Sequence, residues 1–166
     1  LIVAETIAAS SGLGYMAMQA REFLLVDVVV LSILIYALLG KLADIPEYVQ
    51  DGVVDCGITG ADLVAERGAR VTELLRLGFG GCTLEAAVPA EAPVQTLQEL
   101  GGLRVATVYP RLAHELLAER GVDVTLVDVT GSVEVAPRLG LADAIVDLVS
   151  SGNTLRTNGL RSVGSL

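Results

Sequence analysis

Positive charge is scarce in this chain, and cysteine, histidine and lysine are scarcer still. Its 166 residues hold 11 Lys and Arg against 20 Asp and Glu, a formal net charge of -9. A nucleic-acid surface needs clustered Lys and Arg to displace counterions from a phosphate backbone, so that class of partner is excluded. A few arginines still suffice for one small anionic ligand. The cysteines, Cys56 and Cys82, are too few and too isolated for a disulfide framework or a zinc site. They read as reduced core or near-core thiols, which fits a cytoplasmic protein. His114, beside Glu115 on a predicted amphipathic helix, has no partner ligands and reads as a surface residue. The chain opens with Leu1 rather than Met, and no basic stretch precedes its apolar run, so nothing reads as a signal peptide and a missing beginning is expected. No repeat or low-complexity tract is present.

What the chain does have changes character near Asp44. The only lysine, Lys41, precedes that point, and every later basic residue is arginine. Ile2 to Leu25 reads as two short helical stretches broken at Ser10-Ser11-Gly12-Leu13-Gly14. Val28 to Gly40 then carries no charge. Thirteen helical residues span roughly 20 Å, short of the roughly 30 Å hydrocarbon core, so periodicity makes this a buried or marginally membranous helix.

After Asp44 the pattern is regular α/β. Asp44 is placed to cap a short helix that tolerates Pro46 in its first turn and ends at Gly52. A strand is predicted over Val53 to Ile58, a helix over Ala61 to Arg67, and extended runs over Val71 to Phe79 and Cys82 to Val88. Ala90 to Pro93 reads as a crossing between lobes. Beyond it, strands near Arg104 to Val108, Val124 to Val129 and Ala144 to Val149 alternate with helices near Gln95 to Leu100 and Arg111 to Arg120. That alternation predicts a largely parallel sheet covered on both faces, with ligands bound beyond the carboxyl ends of the strands.

The chemistry concentrates after the strand Ala144 to Val149, which runs directly into Ser150-Ser151-Gly152-Asn153-Thr154-Leu155. A small, hydroxyl-rich loop leading into a helix aims backbone N-H groups one way and makes an anion cradle. Gly152 lets the backbone approach a phosphate; Ser150, Ser151 and Thr154 offer hydroxyls. An isolated loop of this type is better explained as a capped helix start with no ligand. Acids tip the balance. Asp147 beside the loop suits ribose hydroxyls, and Glu134, after Gly131-Ser132-Val133, is placed for the same ribose or a magnesium ion. Asp143, on the same strand face as Asp147, reads as a strand-end surface charge.

Glu134, Gly140, Ala142, Ile145, Asp147, Ser151-Gly152, Thr154 and Leu155 together match the long signature of the ATP phosphoribosyltransferase family. The resemblance extends to Asp44-Ile45-Pro46 with Tyr48-Val49, to Asp55-x-Gly57-Ile58-x-Gly60-x-Asp62, to Leu77-Gly78-Phe79-Gly80, and to Arg104 through Pro110, covering about Asp44 to Leu166. It implies a bilobed α/β fold like that of periplasmic binding proteins. It also implies a reaction in which N1 of ATP displaces magnesium pyrophosphate from phosphoribosyl diphosphate, the first step of histidine biosynthesis. Carried over by position, Ser151 to Thr154 would hold the 5-phosphate, with Ser150 and Leu155 beside them. Asp147 and Glu134 would serve the ribose and, with Mg2+, the metal. Gly57, Gly60 and Asp62 would shape the opposite cleft wall, a role no better supported than a plain strand-to-helix turn. Tyr109 is a candidate for stacking on adenine, or equally for packing ahead of Pro110. Arg156 and Arg161 are candidates for neutralising phosphate or simple surface residues. The family also implies a homo-oligomer, or a hetero-oligomer with a regulatory subunit.

Glu5 through Tyr15, Ala20-Arg21-Glu22-Phe23 and Asp27 through Val30 resemble instead the end of an ABC-transporter permease of the nitrate, sulfonate and taurine type. The expected organisation is therefore a permease-like helical segment at 1-43, which leaves membrane contact through 28-40 open. A partial first lobe follows at 44-90, lacking its starting strand, and a second lobe with the phosphoribosyl-diphosphate loop at 91-166. The competing reading is a chimera: a permease remnant fused to a binding-protein-like module without catalytic activity.

Overall fold

The computed structural model describes residues 44-166. The Val28 to Gly40 run, the helical stretches before it and the permease-like segment lie outside the described residues. Two compact units divide between Val71 and Thr72. Among the described residues no helix is long and apolar enough to cross a membrane.

In the first unit, α1 (Ile45-Gln50) carries Pro46 in its first turn, where a missing N-H costs nothing, and the chain leaves the helix through Gly52 at φ 69°. Asp44 stands at the N-cap but makes no cap bond; its carboxylate pairs instead with Arg67, 3.9 Å away. Arg67 also lies 3.5 Å from Glu47, which ties α1 to α2 (Ala61-Arg67). The expected strand over Val53 to Ile58 does not form, and neither does the extended run over Val71 to Phe79 as a strand. Val53 and Ile58 are 68% and 69% exposed. A strand persists only where a neighbour takes up its N-H and C=O groups, and every described strand begins at Thr83 or later. Cys56 and Cys82 are therefore exposed, not core thiols, because each lies in a segment that joins no sheet.

The second unit is a five-stranded sheet in the order β3-β2-β4-β1-β5. Its strands are β1 (Thr83-Pro89), β2 (Arg104-Thr107), β3 (Thr125-Asp128), β4 (Ala144-Val149) and β5 (Leu160-Ser165). β2 is parallel to β3 and β4, as the alternation predicts, but β1 runs antiparallel between β4 and β5. β1 enters the sheet before any crossover helix has reversed the chain, so its direction opposes the later strands. β5 is a strand the sequence pattern did not mark. Gln95 to Leu100 winds only as a short 3-10 turn, Leu97-Leu100.

Alternation of side chains sorts the core into two faces. Ala86, Val88, Val105, Ala144 and Val146 join Leu100 and, from α3 (Pro110-Glu119), Ala113 and Leu117 on one face. Ala87, Ala106 and Ile145 join Val133, from the 3-10 turn Val133-Val135, and Leu155, from α4 (Asn153-Thr157), on the other. The second cluster is rich in alanine, so its few large side chains carry much of its apolar area. Ile145→Ala is expected to cost about 2-5 kcal/mol. Urea unfolding of the two proteins measures it, and a cost well under 1 kcal/mol would mean that this face closes around the gap.

Candidate anion-binding site

β4 is flanked by strands on both sides, so its carboxyl end is fixed on the sheet. From there the chain turns through residues 150-152 into α4 and returns as β5, crossing over β1. Gly152 sits at φ 71°, the left-handed region, and its carbonyl accepts the Arg156 N-H at 3.1 Å. Any L side chain there is strained, and a Cβ would meet Arg156 Nη1 at 3.4 Å. The N-H groups of Ser151 and Gly152 find no acceptor among the described residues, while the Asn153 N-H reaches Ser151 Oγ at 3.4 Å.

These elements enclose a cleft of about 190 Å³ lined by Ser150, Ser151, Gly152, Thr154 and Leu155 together with Leu148, Val149, Asp147 and Glu134. Glu134 arrives by a separate route. Gly131 at φ 108° and Ser132 at φ 41° turn the chain into the 3-10 turn that carries it. Residues 13 apart in sequence thus face one space. Burial pushes the Asp147 carboxyl above the usual carboxylate range, the Leu148 N-H at 2.8 Å from Oδ1 works against that, and the negative charge of Glu134 adds to it. A larger, shallower hollow of about 390 Å³ lies at the end of β3, lined by Asp128, Ser132, Val135, Leu139 and Leu141 among others. Its walls are mainly aliphatic, whereas hydroxyls and carboxylates gather in the smaller cleft.

The remaining candidates sit elsewhere. Asn153 starts α4 but does not line the cleft; its Oδ1 accepts a bond from the Arg156 guanidinium. Tyr109 packs against the cluster containing Val105 and Val146, the sheet face opposite Ile145, and its N-H donates to Thr107 Oγ1 at 2.9 Å. Asp62 lies in the first turn of α2, in the other unit, with its carboxylate folded back over Gly60, where a Cβ would collide with Asp62 Oδ1. Asp143 is held by Arg104, whose Nη2 lies 2.9 Å from Oδ1 and whose backbone N-H lies 3.0 Å from Oδ2. Those bonds hold the Asp143 carboxyl below the usual range and mark it as structural. Arg161 is also committed, donating to the carbonyls of Ala90, Ala92 and Val94. One acid near the site escaped the sequence reading. Glu85 stands opposite Asp147 in the β1-β4 register and accepts a bond from Thr83 Oγ1 at 2.9 Å. No local signal marks it, because the pairing spans 62 residues of chain.

Fold and site together define an α/β unit with a cleft of hydroxyls, backbone N-H groups and two carboxylates at the carboxyl end of a strand. Residues 41-166 match the family model described as HisG: ATP phosphoribosyltransferase. The ATP phosphoribosyltransferase of Methanosarcina barkeri is 46% identical over 129 residues, which cover 78% of this chain and 45% of that protein. The chain thus spans about half the length of the curated relatives it matches. Among solved structures, an ATP phosphoribosyl transferase (HisG:HisZ) complex from Thermotoga maritima superposes with a TM-score of 0.66 at 29% identity, over 75% of this chain and 60% of that one. A periplasmic sulfonate-binding protein from Methylobacillus flagellatus gives 0.54 at 22% identity, over 76% and 41%, which shows a shared fold. This chain belongs to the ATP phosphoribosyltransferase family.

A raised Asp147 has a consequence for stability. Its folded-state affinity for a proton exceeds that of the unfolded chain, so the protein loses stability as pH rises from the ordinary carboxylate range through the raised value. Asp147→Asn is expected to raise the melting temperature at pH 7 and to lose that advantage in acid. Thermal unfolding followed across pH 3-8 checks it, and a variant less stable than the parent at pH 7 would refute it.

Proposed function

We propose that this chain carries the phosphoribosyl-diphosphate-binding machinery of an ATP phosphoribosyltransferase, the enzyme that transfers phosphoribosyl to N1 of ATP and releases pyrophosphate in the first step of histidine biosynthesis. The observation that carries the proposal is the convergence of Glu134 and Asp147 on the Ser150-Leu155 loop in one cleft, within a chain of this family. The loop would hold the 5-phosphate through backbone N-H groups and the hydroxyls of Ser151 and Thr154. Asp147 would accept hydrogen bonds from the ribose hydroxyls. As pyrophosphate departs from C1 of the ribose, positive charge grows on the ring, and the two fixed carboxylates stabilise it without reorganising. Anchoring the far end of the ribose orients C1 toward the incoming nitrogen, which converts binding into rate.

The donor set also suits Mg2+. Burial raises the Asp147 carboxyl, and the negative charge of Glu134 adds to that, so a cation between them would be favoured. Among the described residues no cluster of three or more His, Cys, Asp or Glu gathers to hold a metal. Mg2+ commonly takes one or two carboxylates plus substrate phosphates and keeps several waters. Glu134 and Asp147 would be its protein ligands, and the ion would neutralise charge on the leaving pyrophosphate.

The same reading brings a cytoplasmic location and assembly, either with further copies or with a regulatory subunit. It is the Thermotoga maritima relative that was solved as a complex. The decisive assay is ATP-dependent release of pyrophosphate from phosphoribosyl diphosphate, compared with Asp147→Ala. Loss of about 100-fold or more in kcat/KM is expected, on the scale of removing one preorganised electrostatic group. Equal turnover by the two proteins would remove Asp147 from the chemistry, and no turnover by the unsubstituted chain would sink the catalytic reading.

A further inference from the structure

The cleft presents an electrostatic problem that the loop alone does not solve. Its charged lining groups are Glu134 and Asp147, both acids, yet the proposed ligand carries a phosphate at the same place. Backbone N-H groups offer partial charge, and α4 is only five residues long, so its dipole is small. A full positive charge beside the loop would change the balance.

One guanidinium touches the loop. Arg156 Nη2 donates to Asn153 Oδ1 and stands 3.5 Å from the Ser151 carbonyl oxygen, while Nη1 lies 3.4 Å from where a Cβ on Gly152 would sit. A single planar group therefore borders residues 151, 152 and 153 in succession. Arg104 and Arg161 lie toward the opposite, amino-terminal end of β4 and are engaged there, Arg104 with Asp143 and Arg161 with the carbonyls of Ala90, Ala92 and Val94. Gly152 gains a second reason to lack a side chain, since its left-handed turn leaves room for the guanidinium. Arg156 is exposed and its partners are neutral oxygens, so moving it toward an anion breaks no ion pair among the described residues. A carbonyl and an amide oxygen hold a guanidinium far less tightly than a phosphate dianion would.

We infer that Arg156 is the counter-charge for the 5-phosphate: Asn153 and the Ser151 carbonyl park its guanidinium beside the loop, and the phosphate of the bound ligand takes it over. This assignment rests on the proposed phosphoribosyl-diphosphate reading and adds the residue that makes the loop selective for a dianion. Asn153 then guides the arginine, which accounts for its place outside the cleft lining.

The test is calorimetric titration of the full chain with ribose 5-phosphate at two ionic strengths about tenfold apart, for the parent, Arg156→Gln and Arg156→Lys. Arg156→Gln is expected to bind about 10- to 100-fold more weakly at low salt, the scale of a lost charged hydrogen bond. Its affinity should also lose much of the parent's salt dependence. Arg156→Lys should restore that salt dependence with part of the affinity, because lysine keeps the charge but not the fork. Equal weakening of both variants with the parent's salt dependence retained would reduce Arg156 to a structural brace and overturn the assignment. Undiminished binding by Arg156→Gln would overturn it while leaving the phosphoribosyl reading intact. Failure of the parent chain to bind ribose 5-phosphate would overturn both.

Discussion

Everything at the site depends on β4 being held from both sides. Pairing with β2 and β1 fixes where Val149 ends and so where the chain must turn, and the two-residue period fixes which way Asp147 points. Asp147 shares its face with Ile145, whose burial in the alanine-rich cluster leaves a slip of register little freedom. Leu155 from α4 and Val133 from the 3-10 turn bury into that same cluster. The apolar packing that stabilises the second face thus also delivers the loop and Glu134 to one cleft.

The cleft gathers groups that are individually unfavourable. A carboxylate loses solvent beside another carboxylate, N-H groups are left without acceptors, and Gly152 and Ser132 adopt left-handed backbone. On the proposed function, the hydroxyls, phosphates and accompanying cation of the ligand would supply partners for the carboxylates and the N-H groups. Asp143, by contrast, is neutralised within the protein by Arg104. That contrast separates a strand-end charge from a site charge more clearly than sequence position, since Asp143 and Asp147 are only four residues apart.

Much of this was legible beforehand wherever the determinant is local. β4 and α2 fall where the apolar pattern puts them, and β2, β3 and α3 come within a residue or two at each end. The Ser150-Leu155 loop falls, as the sequence places it, between the end of β4 and the start of a helix. Val53 to Ile58 and Val71 to Phe79 have strand composition and form none, because a strand's stability lies in its partner. β5 was missed for the converse reason: Leu160-Ser165 contains Arg161, Ser162 and Gly164, a weak strand by pattern, yet it pairs along β1.

The sequence by itself determined the family, the loop and the identity of the acids, since these depend on residues spaced along one stretch of chain. Only the tertiary structure decided which acids share the cleft, because convergence of Glu134 with Asp147 requires a turn at Gly131-Ser132 and a common apolar cluster. It also decided that β1 runs against its neighbours, which places Glu85 across from Asp147. Pairing partners and through-space charges are set by packing between distant segments, and no local pattern encodes them.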